Sequence, residues 1–462
     1  MAKNKTVYKC LSCGKEYVRE PIGKCSSCGA FQNFTEVQES SVNQSSSQAG
    51  LKTSGALKPS TKARTINELK NNPISRTKTG IEEFDRVLGG GFVDAEVVLV
   101  GGQAGTGKST IALDIASRYA KLGKTVLYSS GEESEQQIGL RASRMGIVNE
   151  NIKIVNETSL EVLLGHIADE KPELLIVDSL QTLASSEISS SIGSIQQSKE
   201  AAHTLTRLAK NEKITMILVN QLVKSGEYAG SESIKHIVDA ALMFESDSET
   251  PLKFLRAEKN RFGDTSEVGI FQHSETGLEE VTDPSGVFID NDNNESLSGT
   301  SLSFISEGVR QIPVEIQALA SSSNLPTPRK QFNGVNFNRG QIVCAILDKF
   351  CRTRLYENDV FVNTISGIKI NDPLADLSIA ASLLSSLKNK TFKDRTAFIG
   401  ELSLTGQVRG AFMIENKIRE ADRLGFDRIV IPKTAMKNLS SRKYKIKVET
   451  ISSIKDIEKM LS

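Results

Sequence analysis

The sequence lacks the features that would direct a protein into or across a membrane. No stretch of the chain approaches the roughly 18 consecutive apolar residues of a membrane span. The first residues, MAKNKTVYK, lack the apolar core of a signal peptide. Charged residues make up 24% of the 462 residues, which is ordinary for a globular protein in water. We therefore expect an intracellular, cytoplasmic protein without a membrane partner.

Cysteine is scarce after the first 28 residues. Cys344 and Cys351 lack a cysteine partner close in sequence, and we interpret them as buried apolar side chains. The other four form two C-x2-C pairs that are eleven residues apart: Cys10, Cys13, Cys25 and Cys28. Four thiolates in two such pairs can complete the tetrahedral coordination of a structural Zn²⁺ ion. Two disulfides are the alternative, which a reducing cytosol disfavours.

Charge and composition divide the chain into four parts. The first 78 residues carry 13 Lys or Arg against 5 Asp or Glu, whereas the remainder carries 44 against 51. A basic arm of this kind fits either a nucleic-acid partner or a solvated tether. We predict a zinc element at 1–36, a flexible Ser-rich and Gln-rich linker at 37–65, and folded domains at 66–284 and 285–462.

The segment GGQAGTGKST lies between an apolar strand, EVVLVGG, and a helical pattern, and it contains the complete Walker A pattern G-x-x-x-x-G-K-S. Its glycines let backbone N–H groups approach phosphates, and the start of the following helix favours negative charge. In such a loop Lys108 reaches the β and γ phosphates, and Ser109 binds Mg²⁺. The predicted ATP-binding residues are Gly102, Gln103, Ala104, Gly105, Thr106, Gly107, Lys108, Ser109 and Thr110.

Three further apolar strands end in polar side chains that could complete a nucleotide site. ELLIVDSLQT carries Asp178, a candidate Walker B carboxylate that would hold Mg²⁺ together with Ser109. TVLYSSGEES ends at Glu132 and Glu133, and one of them could orient and deprotonate the attacking water. A negative charge at the start of the next helix is the alternative role for either glutamate. ITMILVNQ ends at Gln221, which could sense the γ-phosphate.

This order of a P-loop followed by strands that end in Glu, Asp and Gln resembles the RecA-like α/β ATPase core. The segments TGIEEFDRVLGGGF, QQIGLRASRMG, GSIQQSKEAAHTLTRLAK and KNRFG narrow the resemblance. Together with the four cysteines, they are similar to the RadA (Sms) family of bacterial DNA repair proteins over essentially the whole chain. The resemblance implies a RecA-like P-loop core that uses ATP and Mg²⁺, preceded by a small four-cysteine Zn²⁺ element.

The C-terminal part resembles the α+β Lon protease domain through strand-like VFVNTISGIKI, helical DPLADLSIAASLLSSLKNK and strand-like AFIGELSLTGQVRG. Lon proteases use a serine nucleophile and a lysine base. Matching the segments places Leu374 at the nucleophile and Glu415 at the base, and neither side chain can do that chemistry. The resemblance therefore implies a catalytically inactive Lon-protease-like domain at 285–462, and a protease function is disfavoured.

The segment AEKNRFGD at 257–264 lies between strand-like LKFLR and TSEVGIFQ, which predicts a β-hairpin tip. Residues two apart on extended chain point to the same side, so Lys259 and Arg261 could aim at one anionic target. The resemblance implies a hexameric ring with nucleotide between protomers, in which both cations act on the neighbour's γ-phosphate. Ordinary surface charges at a solvated hairpin tip are the alternative.

The resemblance also implies single-stranded and branched DNA as partners. Loops 184–197 and 222–232 would face the ring channel, and the second loop carries Lys224 and Tyr228, which suit backbone contact. The implied function is a DNA-dependent ATPase, a helicase-type motor that promotes branch migration in recombinational repair beside a RecA-type recombinase. A regulatory ATPase of the clock type, without motor function, is the remaining alternative.

We predict that the purified protein contains about one Zn²⁺ per chain, because four thiolates close a structural site. Cys10→Ser or Cys28→Ser should release the metal, and Cys351→Ser should retain it. Metal analysis checks this directly. Absence of zinc in a protein whose four N-terminal sulfurs form two disulfides would contradict the site.

Overall fold

The computed structural model divides the chain into two compact units, Met1–Asn72 and Pro73–Ser462. The residues that it describes are 5–10, 16–17, 34–39, 65–66, 75–221, 231–246, 251–283, 285–289, 297–410, 413–439 and 443–462. No helix within these ranges is both long enough and apolar enough to cross a membrane.

The first unit contains a three-stranded antiparallel sheet. Its strands are β1 (Lys5–Cys10), β2 (Glu16–Tyr17) and β3 (Phe34–Glu39). β1 lies in the middle and pairs with both other strands.

Most of the predicted zinc site lies outside the described residues. Cys10 ends β1, but its side chain is not among the described groups, and Cys13, Cys25 and Cys28 lie outside the described ranges. The zinc site therefore stays a prediction, as does the linker at 37–65.

The second unit begins with a short antiparallel pair, followed by a nine-stranded sheet. The pair consists of β4 (Arg76–Thr77) and β5 (Phe92–Val93). The sheet strands are, in chain order, β6 (Val97–Gly102), β7 (Val126–Ser130), β8 (Ile152–Asn156), β9 (Leu174–Asp178), β10 (Thr215–Gln221), β11 (Ala240–Ser246), β12 (Leu252–Asn260), β13 (Val268–Ser274) and β14 (Gly277–Glu280). Their spatial order is β14-β13-β12-β11-β6-β10-β9-β7-β8, with β11 to β8 parallel and the other three antiparallel.

Helices cover both faces of this sheet, which explains why its central strands are apolar throughout. They are α1 (Glu82–Leu88), α2 (Lys108–Lys121), α3 (Glu135–Arg144), α4 (Leu160–Glu170), α5 (Ile195–Glu212) and α6 (Ser231–Ile237). Alternate residues of β6 enter different cores: Val98 joins a cluster with Ile111 of α2, and Leu99 joins a cluster with Leu205 of α5. The predicted α/β core is confirmed.

Parallel pairing brings the carboxyl ends of four strands to one edge of the sheet. Gln221 at the end of β10 is opposite Gly102 of β6, and Val219 is opposite Asp178 at the end of β9. Asp178 is in turn opposite Ser130 at the end of β7. Ligands of open α/β sheets bind at this edge, so the strand ends define where a nucleotide site can form.

A seven-stranded mixed sheet organises the C-terminal part. Its strands are β15 (Thr300–Glu307), β16 (Arg310–Ser322), β17 (Lys330–Phe332), β18 (Asn358–Thr364), β19 (Thr396–Phe398), β22 (Arg428–Pro432) and β23 (Lys447–Ile451), and a separate hairpin consists of β20 (Glu401–Leu402) and β21 (Val408–Arg409). The order in the sheet is β17-β18-β16-β15-β19-β22-β23. The helices are α7 (Ser285–Phe288), α8 (Phe337–Cys351), α9 (Asp376–Lys388) and α10 (Ile414–Arg423).

One C-terminal element differs from the prediction. AFIGELSLTGQVRG was expected to be a strand, but it forms the end of β19 and then the β20–β21 hairpin. The chain turns at Gly406, which has a φ of 75° that glycine adopts at little cost. The N–H of Ser403 donates to the carbonyl oxygen of Gln407 at 3.0 Å, which closes the turn. Period-two patterning alone does not locate such a reversal.

The parts predicted at 66–284 and 285–462 share one apolar core. Phe254 of β12 and Ile270 of β13 belong to the same buried cluster as Ile305 of β15 and Val314 of β16. The two parts therefore pack against each other inside the second unit, although the polar stretch near residue 290 suggested a boundary in the sequence.

A buried ion pair also joins these two parts. Arg310 at the start of β16 lies 2.5 Å from the carboxylate of Glu83 in α1. The same carboxylate accepts a hydrogen bond from the N–H of Ile270 at 2.9 Å. Because Glu83 is fully buried, its charge depends on these partners.

Lys417 of α10 is fully buried in the C-terminal part, and the sequence analysis did not identify it. Its ammonium donates to the carbonyl oxygen of Phe304 at 2.5 Å, to Ser306 Oγ at 3.0 Å and to Asp372 Oδ2 at 2.7 Å. Asp372 Oδ1 accepts from the N–H of Leu374 at 3.0 Å. Burial raises the pKa of Asp372, but the charge and hydrogen bond of Lys417, together with hydrogen bonds from Leu374 and Ser306, outweigh burial and lower the pKa. The pair therefore fixes the turn at Leu374.

We predict that Lys417→Met destabilises the C-terminal part by about 3 to 5 kcal/mol, because it leaves a buried carboxylate without its cation. Urea unfolding should show a lower midpoint for this variant, and adding Asp372→Asn should recover part of the loss. Lys459→Met is the control, since Lys459 is exposed and its ion pair with Asp456 contributes little. A wild-type midpoint for Lys417→Met would contradict this account.

Candidate active site

The P-loop connects the end of β6 to the start of α2 and wraps around one lysine. The ammonium of Lys108 donates to the carbonyl oxygens of Gly102 at 2.9 Å and Gln103 at 2.7 Å. Gly107 precedes α2 with a φ of 97°, which a residue with a Cβ adopts only under strain. Burial lowers the pKa of Lys108, and the carboxylates of Asp178 and Glu132 oppose that shift. Lys108 is thus held at the mouth of the loop next to two acids.

A cavity of about 460 Å³ lies in front of the P-loop. Lys108 and Ser109 line it, as do Glu132, Asp178 and Gln221. The structure therefore brings together side chains that the sequence placed on four different strands. Ser109 and Asp178 supply oxygen atoms on the same cavity, which is the chemistry that Mg²⁺ prefers in nucleotide sites.

Two walls of this cavity were not foreseen from the sequence. Arg141, Arg144 and Met145, at the end of α3, form one, and residues 273–277 between β13 and β14 form the other. The turn approaches α2 closely, since a Cβ added to Gly277 would lie 3.4 Å from Thr110 Cγ2. No local motif marks residues 273–277, because they reach the P-loop only through the antiparallel pairing of β12 to β14.

Asp178 is oriented by a buried tyrosine. The hydroxyl of Tyr128 in β7 donates to Asp178 Oδ2 at 2.7 Å. Burial raises the pKa of Tyr128 well above its usual value, and the carboxylate of Asp178 raises it further. Tyr128 therefore stays protonated as a donor and fixes the rotamer of Asp178. Its position inside an apolar strand gave no sequence signal for this contact.

The two glutamates that follow β7 have different partners. Glu132 contacts the ends of two neighbouring strands. One oxygen of Glu132 accepts from Ser179 Oγ at 2.5 Å and from Gln181 Nε2 at 3.1 Å. The other oxygen accepts from Gln221 Nε2 at 2.5 Å. Glu132 is therefore connected to the ends of both β9 and β10 on the cavity side.

Glu133 instead pairs with a cation on α3. Its carboxylate lies 2.5 Å from the guanidinium of Arg141. Its backbone N–H donates to Ser130 Oγ at 3.0 Å, and its carbonyl oxygen accepts from Asn156 Nδ2 at 2.8 Å. Helix α3 is capped by Ser134 and begins at Glu135, so both glutamates precede the first helical turn. The alternative role as a first-turn helix charge falls to Glu135.

Lys259 and Arg261, at the β12–β13 hairpin, both contact the carbonyl oxygen of His236 at the end of α6. Strand β12 extends to Asn260, so Lys259 belongs to the strand and only Arg261 lies in the turn. The ammonium of Lys259 donates to three carbonyl oxygens at the end of α6, at 2.7 Å, 3.1 Å and 2.7 Å for Lys235, His236 and Val238 respectively. The guanidinium of Arg261 lies 3.2 Å from Asp239 Oδ1.

These two cations lie far from the P-loop of their own chain. Lys259 is opposite Ala241 of β11, and Ala241 is opposite Leu99 of β6. Gly102 follows Leu99 by three residue steps, a separation of about 10 Å along the strand. Neither Lys259 nor Arg261 is among the described residues that line the cavity in front of the P-loop. They cannot act on a nucleotide bound in that cavity of the same chain without a large movement.

The first predicted DNA loop, 184–197, is fixed by one buried glutamine. Gln197 Oε1 accepts from the N–H of Ser185 at 2.9 Å, and its Nε2 donates to the carbonyl oxygens of Ile188 at 2.9 Å and Ser190 at 3.1 Å. Ile192 is 68% exposed in this loop. Of the second predicted loop, residues 222–230, with Lys224 and Tyr228, lie outside the described residues.

Leu374 and Glu415, which the sequence comparison matched to the Lon dyad, have partners of their own. Leu374 is half-buried and packs against an apolar cluster at the base of α10. Glu415 accepts from the hydroxyl of Tyr444 at 3.1 Å and lies 3.8 Å from Arg419. An alkyl side chain has no nucleophilic atom, and a carboxylate with these partners cannot replace a neutral lysine base.

Two family models match parts of the chain. A model described as the KaiC ATPase matches residues 77–163, which span α1 and the P-loop, and one described as subunit ChlI of Mg-chelatase matches residues 333–435. A KaiC-like protein of known structure from Pyrococcus horikoshii aligns with 45% of this chain and 100% of its own, at 20% identity and a TM-score of 0.39.

Full-length relatives match nearly the whole chain. The DNA repair protein RadA of Halalkalibacterium halodurans is 38% identical over 437 residues, which cover 94% of this chain and 93% of that protein. The proteins of the same name from Bacillus subtilis and Listeria monocytogenes are 37% and 38% identical over 432 residues, with the same coverage of both chains. Most of residues 285–462 are therefore inside the matched length.

Proposed function

Because this chain belongs to the RadA family of DNA repair proteins, we propose that it is a DNA-dependent ATPase of recombinational DNA repair. The observation that carries the ATPase part is the cavity in which Lys108, Ser109, Glu132 and Asp178 meet in front of the P-loop. ATP and Mg²⁺ fit this donor set, which combines a buried cation with hydroxyl and carboxylate oxygens.

In this proposal the P-loop residues Gly102 to Thr110 cradle the phosphates with backbone N–H groups and the start of α2. Lys108 binds the β and γ phosphates, for which it leaves its two carbonyl partners. Ser109 and Asp178 hold Mg²⁺, and Tyr128 keeps Asp178 in place. Mg²⁺, when bound, neutralises charge on the β and γ phosphates.

We assign the general base to Glu132 rather than Glu133. The contacts of Glu132 with Ser179, Gln181 and Gln221 place its carboxylate at the ends of β9 and β10, beside Asp178. There it can accept a proton from water and orient that water toward the phosphate. Gln221 touches the base directly, so it can relay a change at the nucleotide to the second DNA loop that follows it.

We predict that Glu132→Gln lowers ATP turnover by a factor on the order of 10² to 10⁴ while nucleotide binding persists, because the amide cannot take a proton. Lys108→Ala should also lose hydrolysis, but for a different reason, because it removes the cation that binds the β and γ phosphates. Glu135→Gln is the matched control, since Glu135 is exposed three residues further on and lies off the cavity among the described residues. Steady-state ATPase rates with and without single-stranded DNA, together with nucleotide binding, distinguish the variants.

Wild-type turnover in Glu132→Gln would reject Glu132 as the base. Wild-type turnover in Lys108→Ala would reject the cavity as the catalytic centre. Turnover in the native protein that does not respond to single-stranded DNA would favour a regulatory ATPase without motor function.

We further propose that Lys259 and Arg261 act across a ring interface. Two facts support a role in trans: both cations point to one side of the hairpin, and both lie at the opposite edge of the sheet from their own P-loop. In a homohexameric ring that edge would face the nucleotide of the next protomer, where a cation stabilises transition-state charge. Lys259 would first have to leave the carbonyl oxygens at the end of α6.

We predict that Arg261→Ala retains ATP binding and loses turnover by a factor on the order of 10³ to 10⁵, as for other trans arginines. Mixing inactive Arg261→Ala with inactive Lys108→Ala should restore part of the DNA-stimulated activity, because some interfaces combine an intact P-loop with an intact hairpin. If mixed rings form but activity does not recover at any ratio, the role in trans is rejected. Lys259 and Arg261 would then be surface charges or DNA contacts.

The remaining parts of the proposal concern DNA and the flanking domains. Loop 184–197 follows the Asp178 strand, and loop 222–232 follows the Gln221 strand, so both would respond to the nucleotide while they contact single-stranded or branched DNA. Such a ring would translocate and promote branch migration beside a RecA-type recombinase. The four-cysteine element would bind Zn²⁺, and the Lon-protease-like part at 285–462 would serve as an inactive scaffold. The domain limits 1–36, 37–65 and 66–284 complete this scheme.

A further inference from the structure

The nucleotide cavity contains an arginine that the ATPase mechanism above does not use. Arg141 lies on α3, lines the cavity and has a side chain that is 20% exposed. Its guanidinium faces the carboxylate of Glu133 at 2.5 Å. A cation this close to Lys108 and Asp178 could either be a structural partner of Glu133 or bind phosphate.

Helix α3 holds Arg141 firmly in position. Ser134 and Gln137 form a reciprocal capping box at its start, and Ile138 is buried on its inner face. Arg141 is three residues after Ile138 and therefore lies on the same face of the helix, toward the sheet. The side chain is thus directed into the site by local structure rather than by Glu133 alone.

Arg141 lines the same cavity as Asp178, the proposed Mg²⁺ ligand. Glu133 follows Glu132, whose carboxylate contacts Ser179 directly after Asp178. Burial and Asp178 raise the pKa of Tyr128, and the positive charge of Arg141 opposes that rise. Through Glu133 and Glu132 the guanidinium is connected to the carboxyl ends of β7 and β9, and it lines the cavity together with Lys108 and Asp178.

Charge balance favours a phosphate contact for this arginine. Four acids line this cavity, Glu132, Glu133, Asp178 and Glu275, and Lys108 is its only cation besides Arg141 and Arg144 among the described residues. A nucleoside triphosphate adds several more negative charges. Arginine forms paired hydrogen bonds with phosphate oxygens and is more weakly hydrated than lysine, so it suits a partly buried phosphate site.

We propose that Arg141 binds the γ-phosphate of the nucleotide in cis and that Glu133 holds it in position until nucleotide arrives. This rests on the proposed ATPase function and adds the determinant by which the site prefers a triphosphate to a diphosphate. Arg141 exchanges its bond with Glu133 for the γ-phosphate, and ADP offers it no such partner.

The test compares both members of the ion pair in equilibrium binding of a non-hydrolysable ATP analogue and of ADP, each with Mg²⁺. Arg141→Ala should lower the affinity for the analogue about 10- to 100-fold, the range expected for loss of a charge-assisted hydrogen bond. The affinity for ADP should fall less than about threefold. Arg141→Lys should fall between, because lysine keeps the charge without the paired geometry. Glu133→Gln should leave the analogue bound as tightly or more tightly, since it frees the arginine and removes a like charge.

If the ion pair is purely structural, a different pattern is expected: Arg141→Ala and Glu133→Gln should each weaken binding of the analogue and of ADP to the same extent. That result would overturn the proposal, as would an Arg141→Ala variant with unchanged affinity for the analogue. Arg118→Ala and Asp114→Asn are the controls, because they break a comparable ion pair on α2 that lies off the cavity among the described residues. Lys108→Ala tests the site itself. If this variant binds both nucleotides with wild-type affinity, the proposed ATPase site is wrong, which is a different outcome from a failure of the Arg141 proposal.

Discussion

The backbone register of four parallel strands controls the geometry of the whole nucleotide site. Val219 is opposite Asp178, and Gln221 is opposite Gly102, so the polar groups that follow each strand emerge at one level. A hydrogen bond of 2.5 Å between Glu132 and Gln221 becomes possible only because of this alignment. A shift of one residue in β10 would turn Gln221 to the other face of the sheet and disconnect it from Glu132.

The same alignment explains which parts of the site could be predicted from the sequence. Lys108, Asp178, Glu132 and Gln221 each follow an apolar run, and the rule that parallel strands end at one edge assembles them without coordinates. The choice between Glu132 and Glu133 required the folded structure, because it depends on which carboxylate meets Arg141, eight or nine residues further along the chain. Residues 273–277 reach the P-loop through antiparallel pairing across the sheet, which leaves no local pattern.

The sequence also did not predict the buried polar contacts of Tyr128 and Lys417. Tyr128 and Lys417 occur in segments that read simply as an apolar strand and an amphipathic helix, yet each fixes the carboxylate of an aspartate. Long-range partners such as Phe304 and Ser306 of Lys417 lie more than 100 residues away in sequence. For the C-terminal part, the resemblance drew attention to Leu374 and Glu415, but the contacts of Lys417 with Asp372 that fix the turn at Leu374 left no pattern in the sequence.

The core shared by the two large parts of the second unit limits how this chain can be divided. A protein shortened at residue 284 would lose Ile305 and Val314 and leave Phe254 and Ile270 facing water on the sheet that carries the nucleotide site. Burial of apolar surface stabilises by about 25 cal/mol per Å², so the ATPase strands depend on the C-terminal sheet for part of their stability. Sequence change on one side of this contact is therefore coupled to the other side through the shared packing.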